Sequence, residues 1–316
     1  MKKNIFILIN SIIILITLML SGCDFTKLNT NNKISIVTTC FPPYDFARAV
    51  TGDSAEITML LSTGAEAHSY EPTPLDITKI QQCDIFIYVG GEGEVWVDKI
   101  LDSINTDSME IIQLFDYVEP LEEEEVTGAS SIGHSHEHDH EHDHDHNHID
   151  EHSDSAVGYD EHIWTSPVNA RLCVEGIESV MCDKFTESAD LYRKNAQNYI
   201  SQLVELDSQF RKMTENTNEN LIIVGDRFPF RYLAHEYDLE YYAAFSGCSS
   251  ESEPSVYTMA FLINEILEHD TGVVFCLEFS TKKLAERLCS ATDAEMLTLH
   301  SCNNVSREDF ENNVTY

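Results

Sequence analysis

Residues 186–215 read TESADLYRKNAQNYISQLVELDSQFRKMTE and carry one uninterrupted apolar stripe. Apolar and aromatic side chains recur here at alternating spacings of four and three residues, at Tyr192, Ala196, Tyr199, Leu203, Leu206, Phe210 and Met213. Such spacing is typical of an α-helix with one buried face. At 1.5 Å per residue the helix would be about 45 Å long. A helix of this length is stiff, so the sequence predicts a rigid connection that restricts motion between the parts it joins. The alternative is a long surface helix within one domain.

Short apolar runs alternate with helical segments on both sides of this stretch. Before it, we predict strands at 34–39, 56–61, 85–90 and 109–115, with helices at 44–50, 75–82 and 95–104. After it, we predict strands at 221–225, 239–245, 273–278 and 295–299, with helices at 230–237, 255–268 and 281–291. This alternation is typical of parallel sheets covered by helices. The predicted fold class is α/β: two lobes (33–185 and 216–316), each a mainly parallel four-stranded sheet with flanking helices, joined by one long rigid helix (186–215).

The first residues are typical of a secretory signal. Lys2 and Lys3 precede an apolar run from Ile5 to Leu20, and the sequence then continues Ser-Gly-Cys. A positive flank, an apolar core and small residues before a cleavage point are the parts of such a signal. The alternative is a membrane anchor, but this run is shorter than the about 20 apolar residues that span a bilayer. The ending Leu-Ser-Gly-Cys resembles the lipobox of bacterial lipoproteins, in which the cysteine is lipidated.

We therefore predict a signal peptide at 1–23, lipidation of Cys23 and a polar tether at 24–32. Attached lipid chains would hold the protein to the membrane. The expected location is extracytoplasmic and membrane-anchored, at the cell surface or the periplasmic face. The sequence does not distinguish an envelope of one membrane from one of two.

Acidic residues dominate the charge. The 55 acidic and 19 basic residues give a formal net charge of -36. Such a chain repels nucleic acid and anionic lipid, so neither is expected as a partner. It attracts cations weakly and in a salt-dependent way, which is compatible with a metal carrier.

Nine cysteines are present, and eight remain without Cys23. An oxidising compartment allows disulfides. We predict one bridge, Cys248 with Cys302, because both follow predicted strands at the same sheet edge. Buried free thiols are an equal alternative for Cys276 and Cys289, which lie in apolar periodic segments.

A low-complexity segment lies between the fourth strand and the long helix. Four acidic residues at 122–125 come first, and residues 134–152 then hold nine histidines interleaved mainly with Asp and Glu. Such a segment cannot form a packed core, so we predict a disordered loop at about 121–158. Imidazole and carboxylate groups suit borderline divalent ions. We predict an auxiliary metal-collecting loop with ligands His134, His136, His138, His140, His142, His144, His146, His148 and His152.

Five histidines lie outside that loop. Zinc takes three or four nitrogen, oxygen or sulfur donors, and ligands in α/β sheets bind beyond the carboxyl ends of strands. His68 follows the second predicted strand, His162 lies in a loop and His300 follows the last predicted strand. These three are the predicted ligands, whereas His235 and His269 fall within or beside predicted helices and are expected to be surface or structural residues.

Two motifs resemble those of a known family. Gly-Ala-Glu-Ala-His at 64–68 with Glu-Pro-Thr-Pro at 71–74, and His-Ile-Trp-Thr-Ser-Pro at 162–167, resemble the metal receptors of bacterial ABC importers, the ZnuA-like zinc and manganese group. The acidic His-rich insertion and the long helix after the second motif support the resemblance, which extends from about residue 33 to near the end. It implies that two histidines of the first lobe and two ligands of the second surround one ion in the cleft.

By this resemblance His68 and His162 match the first two ligands and His300 the fourth. The third differs, because Arg227 falls at that position and an arginine cannot ligate a metal. Asp226, one residue earlier, is the predicted substitute, with water or Glu278 as alternatives. Relatives continue through a final helix after Ser306, so we also expect a truncated C-terminal lobe.

Three imidazoles with at most one carboxylate suit zinc better than manganese. The prediction is a monomeric receptor that captures Zn²⁺, with Mn²⁺ as alternative, and passes it to the membrane permease of an ABC importer. A metal buffer or chaperone would use the same ligands. A secreted zinc enzyme is also compatible with three histidines and an open position, but no activated-nucleophile motif accompanies them, so we predict no enzyme.

Overall fold

The computed structural model describes residues 33–124, 158–217, 220–249 and 253–316. Its first sheet has the strand order β2-β1-β3-β4, and all neighbouring strands are parallel. Its strands are Ile34–Thr38 (β1), Ala55–Met59 (β2), Ile85–Tyr88 (β3) and Glu110–Gln113 (β4). β1 and β3 are central and rich in β-branched residues, as expected for strands covered on both faces. The order reverses between these two strands, which creates a crevice at their carboxyl ends.

The second sheet repeats this topology with the order β6-β5-β7-β8, again parallel. Its strands are Leu221–Phe228 (β5), Glu240–Ser246 (β6), Val273–Leu277 (β7) and Glu295–Leu299 (β8). β5 runs three residues beyond its predicted end at Gly225, and its register against β6 shifts between Val224 and Arg227. Asp226 and Arg227 therefore belong to the strand and not to the loop after it.

Nine helices flank the sheets in the described residues. They are Phe41–Thr51 (α1), Pro74–Gln82 (α2), Val95–Leu101 (α3), Pro167–Lys184 (α4), Ala189–Glu215 (α5), Arg231–Tyr237 (α6), Val256–Glu268 (α7), Lys283–Thr292 (α8) and Arg307–Glu311 (α9). The fold class predicted from the sequence is confirmed, with eight strands close to the predicted bounds. α4 was not predicted, although Ser166 caps it through the N–H of Asn169 and Pro167 occupies its first turn, a strong local start signal.

The long helix forms as predicted, with a short 3₁₀ turn at Thr186–Ser188 before α5. Its stripe is buried at Tyr192, Ala196, Tyr199 and Leu203, whereas Met213 is exposed. The first half of α5 packs on α1 and α4 in the first core, where the buried Tyr192 is 1% exposed. Full burial of such a side chain contributes roughly 1.5–3 kcal/mol. Phe210, near the other end, stacks on Tyr237 of α6 at a ring-centroid distance of 5.1 Å.

Residues Ile34–Tyr316 pack as one unit. The core around α4 and α5 includes Trp164 from the loop before α4 and Tyr232 from α6. Within the described ranges, no helix combines the length and apolar character needed to cross a membrane. The predicted signal peptide, Cys23 and the tether lie outside the described residues, as do all nine histidines of the predicted metal-collecting loop.

The predicted Cys248–Cys302 disulfide is absent, since both residues are free thiols. The sheet order explains the difference. Cys248 follows β6 and Cys302 follows β8, which are the two outer strands of the second sheet. Strands lie about 4.8 Å apart, so strand ends three places apart are separated by roughly 14 Å, twice the Cα distance of about 7 Å that a disulfide allows.

Candidate metal centre

His68 lies in a short 3₁₀ turn, Ala67–Ser69, between β2 and α2. The second half of the chain holds the loop before it. Asn304 donates from Nδ2 to the carbonyls of Ser62 and Ala65, both at 2.8 Å, and the N–H of Gly64 donates to Val305 at 2.9 Å. After His68, Thr73 and Asp76 form a reciprocal capping box that starts α2. The turn carrying His68 is therefore fixed on both sides.

His162 lies in the loop before α4 and is 1% exposed. Asp160 orients it: its Oδ1 accepts the backbone N–H of His162 at 2.8 Å and lies 3.2 Å from the ring Nδ1. This contact favours the proton on Nδ1 and leaves the lone pair of Nε2 for a ligand. Nε2 is buried, and it has no hydrogen-bond partner among the described residues. A buried imidazole nitrogen with a free lone pair can bind a metal ion.

Glu161 is the third donor and was not predicted. It is 8% exposed, its Oε2 accepts the N–H of Gly93 at 2.7 Å, and its Oε1 lies 3.2 Å from Nδ1 of His68. A Cβ atom on Gly93 would lie 2.5 Å from Oε2, and one on Gly91 would lie 2.9 Å from Cβ of Glu161. The two glycines after β3 thus leave the space that this side chain occupies.

Ligand atoms of His68, Glu161 and His162 lie within 4.8 Å of one another. The two imidazole rings are 5.4 Å apart, centroid to centroid. This group joins the loop after β2 to the loop before α4, beside the residues that follow β3. Two imidazoles and one carboxylate form a donor set suited to a borderline divalent ion such as zinc.

The histidines and carboxylates of this group favour each other's charged forms. Burial would lower the pKa of His162, but Asp160 and Glu161 outweigh it and hold that pKa above its ordinary value. Burial would raise the pKa of Glu161, yet the hydrogen bond from His68 and the charge of His162 hold it below its ordinary value. Glu161 is therefore a carboxylate at neutral pH, ready to ligate a cation.

His68 and His162 line a cavity of about 260 Å³. Residues 65–67 line it beside His68, and the opposite wall comes from the second half of the chain, including Asp226, Arg227, Gly247, Glu278 and Ser301. Gly247 packs closely on the site, because a Cβ atom there would lie 3.3 Å from Cε1 of His162 and 2.9 Å from the carbonyl of Phe228. The cavity thus lies between the carboxyl ends of the two sheets, where the topology predicts a ligand.

The remaining predicted ligands lie apart from this group. His300 is exposed and does not line the cavity, whereas Ser301, the next residue, does. Asp226 lines the cavity, and its Oδ1 accepts the N–H of Arg227 at 2.9 Å. Both oxygens of Glu278 are engaged by Ser301, at 2.8 and 3.0 Å. The roles of His300 and Asp226 as ligands stay predictions. His269 is exposed and pairs with Glu265 on the surface of the second half.

A second acidic side chain lies behind the site. Glu94 accepts the N–H groups of Val89 and Gly90, both at 2.8 Å, at the carboxyl end of β3. Burial raises its pKa from 4.5 to about 7, because the charged form loses its hydration there. It borders a smaller cavity that Glu161 also lines.

Comparisons with known proteins identify relatives of the whole chain. The chain is 29% identical over 299 residues to the zinc-binding lipoprotein AdcA of Streptococcus pneumoniae, a match that covers 93% of this chain and 55% of that protein. It is 28% identical over 289 residues to the high-affinity zinc uptake system protein ZnuA of Bacillus subtilis, covering 90% and 83%. The chain thus spans about half the length of the AdcA proteins that it matches.

Solved structures have the same fold. The metal-dependent lipoprotein YcdH from Bacillus subtilis superposes with a TM-score of 0.71 at 26% identity, covering 90% of this chain and 94% of that chain. The Zn(II)-bound ZnuA-like domain of Streptococcus pneumoniae AdcA superposes with a TM-score of 0.69 at 26% identity, covering 90% and 93%. The profile of the family described as ZnuA, zinc-uptake complex component A, periplasmic, matches residues 36–316. The chain belongs to this family.

Proposed function

We propose that the chain is an extracytoplasmic binding lipoprotein that captures Zn²⁺ between its two sheets and delivers it to the permease of an ABC importer. The convergence of His68, Glu161 and His162 carries the proposal, because the buried Nε2 of His162 has no partner among the described residues. Such a nitrogen is costly unless a ligand satisfies it.

Zinc is the favoured ion for reasons of ligand chemistry. Two imidazoles and one carboxylate form a common zinc donor set, whereas manganese prefers more oxygen donors. Relatives named as zinc-binding lipoproteins support the same choice. The three donors leave one tetrahedral position, for which Asp226, His300, water or another ligand compete.

Transport and not catalysis is proposed for this site. A zinc ion with an open position can also activate water. The choice of transport rests on the family, which is described as a component of a zinc-uptake complex. We further propose that lipidation at Cys23 holds the protein on the outer side of the membrane and that the protein acts as a monomer. Its excess of 36 negative charges would attract cations toward the cleft.

The first experiment measures metal content and zinc affinity in a variant that lacks residues 134–152. This deletion removes the predicted metal-collecting loop, and we expect one tightly bound zinc to remain. His68→Ala, Glu161→Gln and His162→Ala should each remove or strongly weaken that zinc. His269→Ala is the matched control, because that histidine is exposed and pairs with Glu265 and not with any of the three donors.

Two further results would decide between this function and its alternatives. His300→Ala tests the ligand predicted from the sequence, and loss of the tight zinc in that variant would show that the lobes rearrange around the ion. A metal buffer would lose most of its capacity with the loop deleted. Dependence of cellular zinc uptake on both this protein and a membrane permease is expected for the receptor, and uptake that continues without the permease would contradict it.

A further inference from the structure

An arginine lines the same cavity as two of the three donors. Arg227 lies at the register shift of β5 and lines the same cavity as His68 and His162. Its guanidinium has no acceptor and stays protonated, so it cannot ligate a metal. It can instead hold an anion beside one.

A backbone hydrogen bond from Nε holds the side chain of Arg227. Nε donates to the carbonyl of Ser249 at 2.6 Å. The terminal Nη1 lies 3.6 Å from Glu66, beyond hydrogen-bond distance, and Glu66 is half exposed. Such an exposed ion pair contributes little. The backbone contact therefore fixes Nε of an arginine that lines the cavity and leaves its two terminal nitrogens without a close hydrogen bond to Glu66.

The donor group leaves a coordination position open, which a further donor can fill. His68, Glu161 and His162 supply three ligands, and zinc in proteins takes four or more. On the C-terminal side, Ser301 occupies both oxygens of Glu278. The cavity of about 260 Å³ also exceeds one ion and one water, whose share of liquid volume is roughly 30 Å³.

We propose that the cleft binds the metal together with a small carboxylate chelator. One carboxylate oxygen of the chelator completes the coordination, and a carboxylate pairs with the planar guanidinium of Arg227, which suits bidentate contact. The species held in the cleft is then Zn²⁺ together with a carboxylate anion. This inference rests on the proposed function, because it needs the metal at the three donors.

Native mass spectrometry and titration calorimetry of the purified chain test the inference in three arms: zinc alone, zinc with citrate, and zinc with inorganic phosphate. The wild-type chain should form a complex that holds one citrate, and the citrate should bind only when zinc is present. Arg227→Gln should keep its zinc but bind citrate roughly ten- to hundredfold more weakly, as expected for loss of a charge-assisted contact. Arg227→Lys keeps the charge without the fork and should fall between the two.

Arg211→Gln is the control, since Arg211 pairs with Asp207 and Glu236 on the surface of α5 and α6. It should bind citrate as the wild type does. Citrate held by zinc elsewhere on the chain would not depend on Arg227. A difference in citrate affinity between Arg227→Gln and Arg211→Gln therefore reports on the cleft alone.

The inference is overturned if citrate withdraws zinc equally from wild type and Arg227→Gln with no ternary complex. It is also overturned if phosphate forms the Arg227-dependent complex in place of citrate, since the anion would then be inorganic. Failure of the wild type to bind zinc alone would instead refute the proposed function, so the two failures are distinguishable.

Discussion

The Cβ position of Gly93 coincides with the space that the carboxylate of Glu161 fills. An added methyl group would lie 2.5 Å from Oε2 and 2.6 Å from Oε1. The backbone N–H of Gly93 donates to the same Oε2 at 2.7 Å. Glycine thus serves here for close approach, as neither its φ nor a turn requires it, and the loop after β3 becomes part of the metal centre.

Gly93→Ala should displace Glu161 and weaken zinc binding roughly 10–100-fold, the range typical of outer contacts that orient a ligand. Affinity is measured by competition with a fluorescent chelator in the variant lacking residues 134–152. Gly272→Ala is the matched control, because a Cβ atom there meets nothing within 4 Å. Equal affinities in the two variants would show that Glu161 is not a ligand.

Asp160→Asn should shift the pH dependence of zinc binding. The carboxylate of Asp160 outweighs burial and keeps the pKa of His162 above its ordinary value of 6.5. Zinc and a proton compete for this imidazole, so wild-type affinity should fall as pH drops through that raised pKa. The amide still accepts the hydrogen bond but lacks the charge, so the midpoint of zinc release should move to lower pH. A midpoint that stays or rises would refute the electrostatic role of Asp160.

Glu94→Gln should stabilise the protein above pH 7. Because the pKa of Glu94 is raised from 4.5 to about 7 in the folded chain, folding favours the protonated acid. Below pH 4.5 the carboxyl group of Glu94 is protonated in both the folded and the unfolded state, so it does not destabilise the fold. Between pH 4.5 and 7 the unfolded state loses this proton first, and above pH 7 the folded state holds a buried charge. The shift corresponds to roughly 3 kcal/mol. Urea unfolding of both proteins at pH 4.5 and pH 8 measures it, and a pH-independent difference would contradict the assignment.

Tyr199→Phe should lower the free energy of unfolding by about 2 kcal/mol, the usual scale of a buried hydrogen bond to a charged group. The hydroxyl of Tyr199 in α5 donates to Oδ2 of Asp45 in α1 at 2.5 Å, and Asp45 is fully buried. Tyr257→Phe, on the exposed face of α7, should change stability by less than about 0.5 kcal/mol. Similar losses in both variants would show that the contact between α1 and α5 is energetically minor.

The strands and most helices could be predicted because their periodicity is local. α4 was missed because its buried face is broad and includes Gly176 and Cys173 besides the larger apolar residues, which weakens the contrast between its faces. Ser166 followed by Pro167 was the available start signal. The Cys248–Cys302 pairing failed because strand order is a tertiary property that spacing along the chain does not contain.

The candidate site was only partly readable for similar reasons. His68 and His162 stand in motifs, whereas Glu161 is a carboxylate in a loop, and only its tertiary contact with Gly93 distinguishes it from a solvated one. The end of β8 was predicted correctly at Leu299, but His300 and Ser301 lie beyond the strand, where its alternation no longer decides which way a side chain points. The structure has Ser301 lining the cavity and His300 exposed.

The loop that carries His162 is tied by two hydrogen bonds to the second half of the chain. The carbonyl of Asp160 accepts from the hydroxyl of Tyr232 at 2.9 Å, and the indole of Trp164 donates to the carbonyl of Ser301 at 2.8 Å. A wide movement of the second half away from this loop would break both hydrogen bonds and expose the buried indole of Trp164 to water. Under the proposed function, release of the ion would therefore require a docked permease to loosen this one loop first, which is a different demand from the simple opening of a flexible cleft.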